Sequence, residues 1–228
     1  MKLFLSRAAL ALTAFAAATA LIAMDANEAH AQKRKGKVKK LRPMGGVRGG
    51  FILTGSGDAE VEAGGQTASA SYDDNSTYAL NGFAAWPVAK NIRVGGSIWW
   101  LPSLDLRDAD APEPDEKGME FDVNLLAEYV MPFGSVDGFA YGEGGLSIML
   151  PPDDGDGDSS NDPDNGFGYN VGGGAGAQFL VSSSLALRGD LRLQYYSVDF
   201  TNDVAGTEVT TTFAGTRVML NVGVAFGL

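Results

Sequence analysis

Between Leu185 and Tyr196 the chain reads LALRGDLRLQYY, with its apolar residues at every second position over most of its length. Leu185, Leu187, Leu191, Leu193 and Tyr195 fall on one face of an extended strand, and Arg188, Asp190, Arg192 and Gln194 on the other. A helix, repeating about every 3.6 residues, would scatter the same residues around its circumference. The alternation therefore predicts a strand with one apolar and one charged face. It recurs along the chain, and no helical period survives between Gly45 and Leu228.

Eight such segments can be marked: Gly46 to Gly55, Thr77 to Val88, Ile92 to Leu101, Met119 to Phe133, Gly138 to Leu150, Phe167 to Val181, Leu185 to Phe200 and Thr211 to Leu228. Each has about ten residues or more, enough to cross a bilayer at a steep tilt. Strands of soluble sandwiches run to about five or six residues. The connections alternate as well. Ala89 to Asn91, Gly134 to Asp137 and Ser182 to Ser184 are short, whereas those after the first, third, fifth and seventh segments are long and polar. The expected fold is all-β: an eight-stranded antiparallel transmembrane β-barrel over residues 45–228, with both termini on the side of the short turns, the periplasm.

The first 31 residues carry the marks of export. Lys2 and Arg7 precede the apolar run LALTAFAAATALIAM, and Ala29-His30-Ala31 supplies small residues for cleavage, so the mature chain is expected to begin at Gln32. There is no cysteine, and the only histidine, His30, lies in this signal. A mature chain without His or Cys has no Ser-His or Cys-His nucleophile pair and none of the common zinc sites. No enzyme is expected.

Charge is segregated. Gln32 to Arg42 holds seven basic and no acidic residues, and residues 32–44 are read as a basic periplasmic tail. From Pro43 onward eight basic residues face 26 acidic ones, a net charge of −18. Twenty of those 26 lie in the four long connections. A barrel whose long loops face a lipopolysaccharide surface rich in divalent cations accounts for this, and a soluble enzyme does not. The negative potential favours divalent cations and basic surface partners. Nucleic acid is not expected as a partner, since no aromatic pattern interleaves the basic run.

Trp86, Trp99, Trp100, Tyr129, Phe133, Tyr195 and Phe200 lie near strand ends, where interfacial girdles form. With the apolar faces toward lipid, the opposite parity points into the lumen. Those positions include Arg48, Arg93, Asp122, Asn124, Glu128, Glu143, Asn170, Gln178, Arg188, Asp190, Arg192, Gln194, Arg217 and Asn221. Five arginines nearly balance four carboxylates. An eight-stranded barrel is only wide enough inside to be filled by side chains, so a plug of ion pairs is expected. The alternative is a passage lined by charge, with Gly172, Gly174 and Gly176 leaving space.

Asp153 to Asn165 reads DDGDGDSSNDPDN. Asp154, Asp156, Asp158 and Asp162 match oxygen positions of an EF-hand loop, but Ser159 replaces the required glycine and Asn165 the terminal glutamate. A solvated acidic loop is the expected reading, and a weak calcium site is the alternative. No other cofactor is indicated.

The strand count, the glycine-rich NVGGGAGAQFLV (Asn170 to Val181) and the last strand TRVMLNVGVAFGL together resemble the eight-stranded outer-membrane barrels that include OmpA transmembrane domains, OmpX and OmpW. In the last strand Val218, Leu220, Val222, Val224, Phe226 and Leu228 form an apolar row similar to the family's assembly signal, although the family usually ends in an aromatic residue. The resemblance implies insertion in outer-membrane lipid and lipopolysaccharide, with a structural or surface-interaction role. Its OmpW branch implies instead a narrow pore or carrier for small molecules, with hydrophobic ones among the candidates.

Overall fold

The alternation becomes strand in ten segments: β1 (Met44–Ala63), β2 (Gln66–Asp74), β3 (Tyr78–Ala89), β4 (Ile92–Leu104), β5 (Leu106–Arg107), β6 (Gly118–Pro132), β7 (Val136–Leu150), β8 (Gly166–Leu180), β9 (Leu185–Val204) and β10 (Thr207–Gly227). The computed structural model describes residues 41–107, 117–133, 136–151, 165–182, 184–204 and 206–227. The expected signal, most of the segment expected to be a basic tail, Leu228 and the candidate calcium ligands Asp154, Asp156, Asp158 and Asp162 lie outside them.

Eight strands form a closed antiparallel ring in the order β1, β3, β4, β6, β7, β8, β9, β10, with β10 pairing back onto β1. The two remaining segments continue ring strands in unchanged register. β1 pairs with β3 as far as Phe51↔Tyr78 and resumes with β2 at Ser56↔Asp73. β4 pairs with β3 through Leu80↔Trp100, and β5 resumes with β2 at Asp73↔Arg107. Each of the eight expected segments falls on one ring strand.

Two expected loops are strand instead. β1 runs on to Ala63, turns through Gly64 and Gly65 with φ of 56° and 79°, and returns as β2. β9 and β10 extend in the same way to a turn at Gly206, φ 81°. Both turns need a left-handed conformation that glycine adopts without strain. Asp58, Glu60 and Glu62 do alternate with Gly57, Ala59 and Val61. The apolar half of that pattern is too small to stand out as a strand.

The molecule is inverted relative to a soluble domain. Leu193 is 57% exposed while its neighbour Arg192 is 1% exposed. Leu125, Leu146, Leu187, Leu191, Leu220 and Val222 are likewise exposed on the outer face. Such a band is stable only where lipid takes the place of water. Trp86 and Phe133 are exposed at the short-turn end, and Trp100 stacks on Phe121 nearer the hairpin end.

Inside, two apolar clusters bracket the ring. Met44, Phe83, Leu126, Val130 and Phe139 pack at the short-turn end, with Leu41 against them. Tyr72, Leu104, Met149, Tyr196 and Val198 pack at the hairpin end, backed by Phe200 and Phe213.

Candidate functional site

Charged side chains fill the space between the two apolar clusters, and strand parity places them there. At the short-turn end Glu128 on β6 accepts from Arg93 at 2.7 Å and from Arg188. Arg93 also donates through Nε to the main-chain oxygen of Arg42 at 3.1 Å, tying the segment before β1 to the wall. Gln178 donates to Asp137 at 3.2 Å.

One layer further in, Asp190 on β9 gathers Arg48 at 3.2 Å, Tyr141 at 2.7 Å and Asn221 at 2.7 Å. Arg48 reaches across to Asn81 at 2.9 Å. Beside this group, Glu143 on β7 accepts from Arg192 at 2.5 Å, Ser97 at 2.7 Å and the indole of Trp99 at 3.0 Å. Gln194 and Ser147 donate to Asp122 at 2.7 and 2.5 Å, and Asn170 donates to Ser147 at 3.0 Å.

Toward the hairpins Arg217 bridges Asp74 and Glu120, the latter at 2.6 Å, over the ring of Tyr196. The Tyr72 hydroxyl donates to that of Tyr196 at 2.9 Å. A carboxylate holding several donors is far better compensated for lost water than one facing a single cation.

Arg48, Arg93, Asp122, Glu128, Glu143, Arg188, Asp190, Arg192 and Arg217 are therefore all buried in one interior. Asn124 lies among them, and its side chain has no protein hydrogen-bond partner among the described residues. Four further buried carboxylates fall outside the expected lumen positions: Asp74, Asp105, Glu120 and Asp137. Asp74 and Asp105 lie in connections read as loop, and Asp137 just before a strand. Glu120 shares the parity of Asp122, and that parity is the signal that would have found it. The near balance of sign becomes eight buried carboxylates against five arginines among the described residues. Neutral donors and rim cations take up the difference, Gln178 on Asp137 and both Arg107 and Lys117 on Asp105.

Aromatic rings are the other half of the interior. Arg192 lies 4.2 Å from the Trp99 centroid, Arg188 3.8 Å from Phe139, and Arg48 about equally near Phe83, Trp99 and Tyr141. Guanidinium stacked on a ring keeps favourable electrostatics after losing water. Trp99 thus departs from its expected place in an interfacial girdle. It follows Ile98 and precedes Trp100, both exposed, so strand alternation turns it inward.

The inward glycines do not leave open space. A Cβ on Gly174 would lie 2.9 Å from the Tyr141 ring, one on Gly172 3.5 Å from the Arg192 guanidinium, and one on Gly176 2.7 Å from Asp190 Cβ. Large side chains from neighbouring strands occupy that room.

Among solved structures the chain is similar to the outer membrane protein AlkL in lipid bilayers, with a TM-score of 0.52 and 16% identity over 86% of this chain and 94% of that one. The chain has the fold of a small outer-membrane β-barrel. Two other solved barrels are similar at lower scores. OprG from Pseudomonas aeruginosa has a TM-score of 0.49 and 10% identity over 83% of this chain and 97% of its own. The Escherichia coli outer membrane protease OmpT has 0.49 and 8%, over 86% and 99%. No protein-family model and no curated protein matches the chain. In a small outer-membrane β-barrel the interior accommodates side chains and little else, and here they are long and cross-linked.

Proposed function

We propose that this is an outer-membrane protein whose lumen is sealed and whose working surface is the acidic hairpin end, turned outward, with both termini in the periplasm. The role is structural or one of surface interaction. The observation that carries this reading is the unbroken run of interior ion pairs, from Arg93 and Glu128 at one end to Arg217, Glu120 and Asp74 at the other. A solute passing along the axis would have to break several of them, each costing a few kcal/mol once its partner is left bare, about 3–5 on general grounds.

Charge placement supports the surface role. Of the eight basic residues after Pro43, five are consumed in the interior, and Arg107 and Lys117 are held by Asp105. Asp58, Glu60, Glu62 and Asp199 keep their charge toward water at the hairpin end, favouring divalent cations of the lipopolysaccharide layer and basic partners. Chemistry at this surface would need nucleophile and base groups other than the His and Cys that the mature chain lacks.

The pore or carrier reading needs space beside the glycine strand, which Tyr141, Arg192 and Asp190 fill. Liposome swelling with a small sugar tests the choice. Vesicles carrying the refolded protein are expected to swell no faster than protein-free vesicles. Swelling at the rate given by a general porin would overturn the sealed lumen.

A further inference from the structure

On its inward face β6 carries Glu120, Asp122 and Asn124 in succession, about 7 Å apart along the strand. Glu120 is bridged by Arg217. Asp122, 0% exposed, accepts from Gln194 at 2.7 Å and from Ser147 at 2.5 Å, both of them neutral. Asn124 is 4% exposed, and neither its amide oxygen nor its amide nitrogen has a hydrogen-bond partner among the described residues. Buried amides in native interiors are satisfied by protein, water or an ion.

Three oxygen-bearing groups gather over β7. Asn124 pairs with Gly145, and its Oδ1 lies 2.7 Å from where a Cβ on Gly145 would stand. Asn170 pairs with Gly145 from the other side. It donates to the Leu146 main-chain oxygen at 3.4 Å and to Ser147 Oγ at 3.0 Å, and its own Oδ1 has no partner among the described residues. Asp122 pairs with Ser147, whose hydroxyl it accepts. Across β7, the backbones of β6 and β8 run roughly 10 Å apart. Two amides leaning over Gly145 and Ser147 narrow that gap to the span of one bridging ion.

Charge is short in the same place. Toward the short turns Glu128, Asp190 and Glu143 each hold at least one arginine. Toward the hairpins Asp74 and Glu120 share Arg217, so with Asp122 three buried carboxylates stand against one arginine. Arg192 is engaged by Glu143 and Gln194. A buried carboxylate without a counter-charge is costly, and neutral donors offset only part of the cost.

We infer that Asp122, Asn124 and Asn170 hold a monovalent hard cation of the sodium class over β7, between Gly145 and Ser147. Asp122 supplies the charge, and the two amide oxygens complete the protein's share of the shell. An all-oxygen set selects hard cations, and one carboxylate with neutral oxygens suits a single positive charge. Among the described residues no group of three or more acidic, His or Cys side chains is arranged to hold a metal ion, as a tight divalent site would require. Gly145 is part of the site, since any side chain there would meet the Asn124 oxygen.

The test follows urea unfolding of the mature barrel in zwitterionic vesicles, in sodium chloride or in choline chloride at equal ionic strength, and it reads the same whether or not the lumen conducts. Choline is too large for the site. At a sodium concentration ten times the dissociation constant, the ratio of folded to unfolded protein is expected to be about tenfold higher than in choline. Asn124→Ala is expected to abolish the difference, and Asp58→Asn, on the exposed hairpin, to leave it intact. The wild-type comparison stands even if Asn124→Ala folds poorly. Four results would overturn the proposal: equal midpoints in the two salts, a sodium effect that Asn124→Ala retains in full, one that Asp58→Asn removes, or midpoints that follow pH and not sodium, which would put a proton in the ion's place.

Discussion

Arg192 Nε donates to Glu143 Oε1 at 2.5 Å, and both side chains are 0% exposed. Glu143 also holds Ser97 and Trp99, so three strands meet at one carboxylate. Removing it leaves a buried guanidinium whose remaining partners are Gln194, the Met219 sulfur and the Trp99 ring. Glu143→Ala is expected to lose roughly 3–5 kcal/mol of stability, and Glu143→Gln clearly less, because the amide oxygen still accepts. Urea midpoints of the protein folded into lipid vesicles measure both.

At the hairpin end one cation serves two acids. Arg217→Ala leaves Asp74 and Glu120 buried side by side and is expected to cost about as much as any single interior change, roughly 3–5 kcal/mol. If charge compensation is the cause, the triple variant Arg217→Met, Asp74→Asn, Glu120→Gln recovers most of the loss. The same urea titration reads it, and a triple variant no better than Arg217→Ala would locate the effect in packing.

Strand parity carries most of what is legible in the sequence. Once Leu187, Leu191 and Leu193 face lipid, Arg188, Asp190 and Arg192 have nowhere to go but inward. Two residues show where a different cue misleads. Residue type assigns Trp99 to a girdle, although Trp100 beside it can share no face with it. Acidic surroundings assign Asp74 to a loop, yet β2 returns it to the wall of the barrel opposite Arg217. Small alternating residues such as Gly57, Ala59 and Ala68 bury too little surface each to mark a strand, so the long hairpin is visible only through its pairing. Which arginine meets which carboxylate depends on register and stagger around the ring, and no local pattern encodes that.

The tight fit of the inward glycines separates two otherwise similar substitutions. Gly174→Ala sets a methyl against the Tyr141 ring and the Leu191 main-chain oxygen, and is expected to lower stability by about 1–3 kcal/mol. Gly49→Ala meets nothing within 4 Å and is expected to change stability by less than about 0.5 kcal/mol. Temperature-dependent gel mobility ranks the pair.

Orientation is open to test at the turn Gly64–Gly65. A protease site inserted there is expected to be cut on intact cells, giving a fragment boundary between β1 and β2. Protection on intact cells, with cleavage only after the outer membrane is opened, would place the hairpins on the inner side. The same preparation gives the mature N-terminus, expected at Gln32.

That the lumen is sealed is the central proposal, and single-channel recording in planar bilayers addresses it most directly. With the wild-type protein inserted, the baseline is expected to be indistinguishable from that of the bare bilayer at either polarity. Stable, reproducible conductance steps would contradict it.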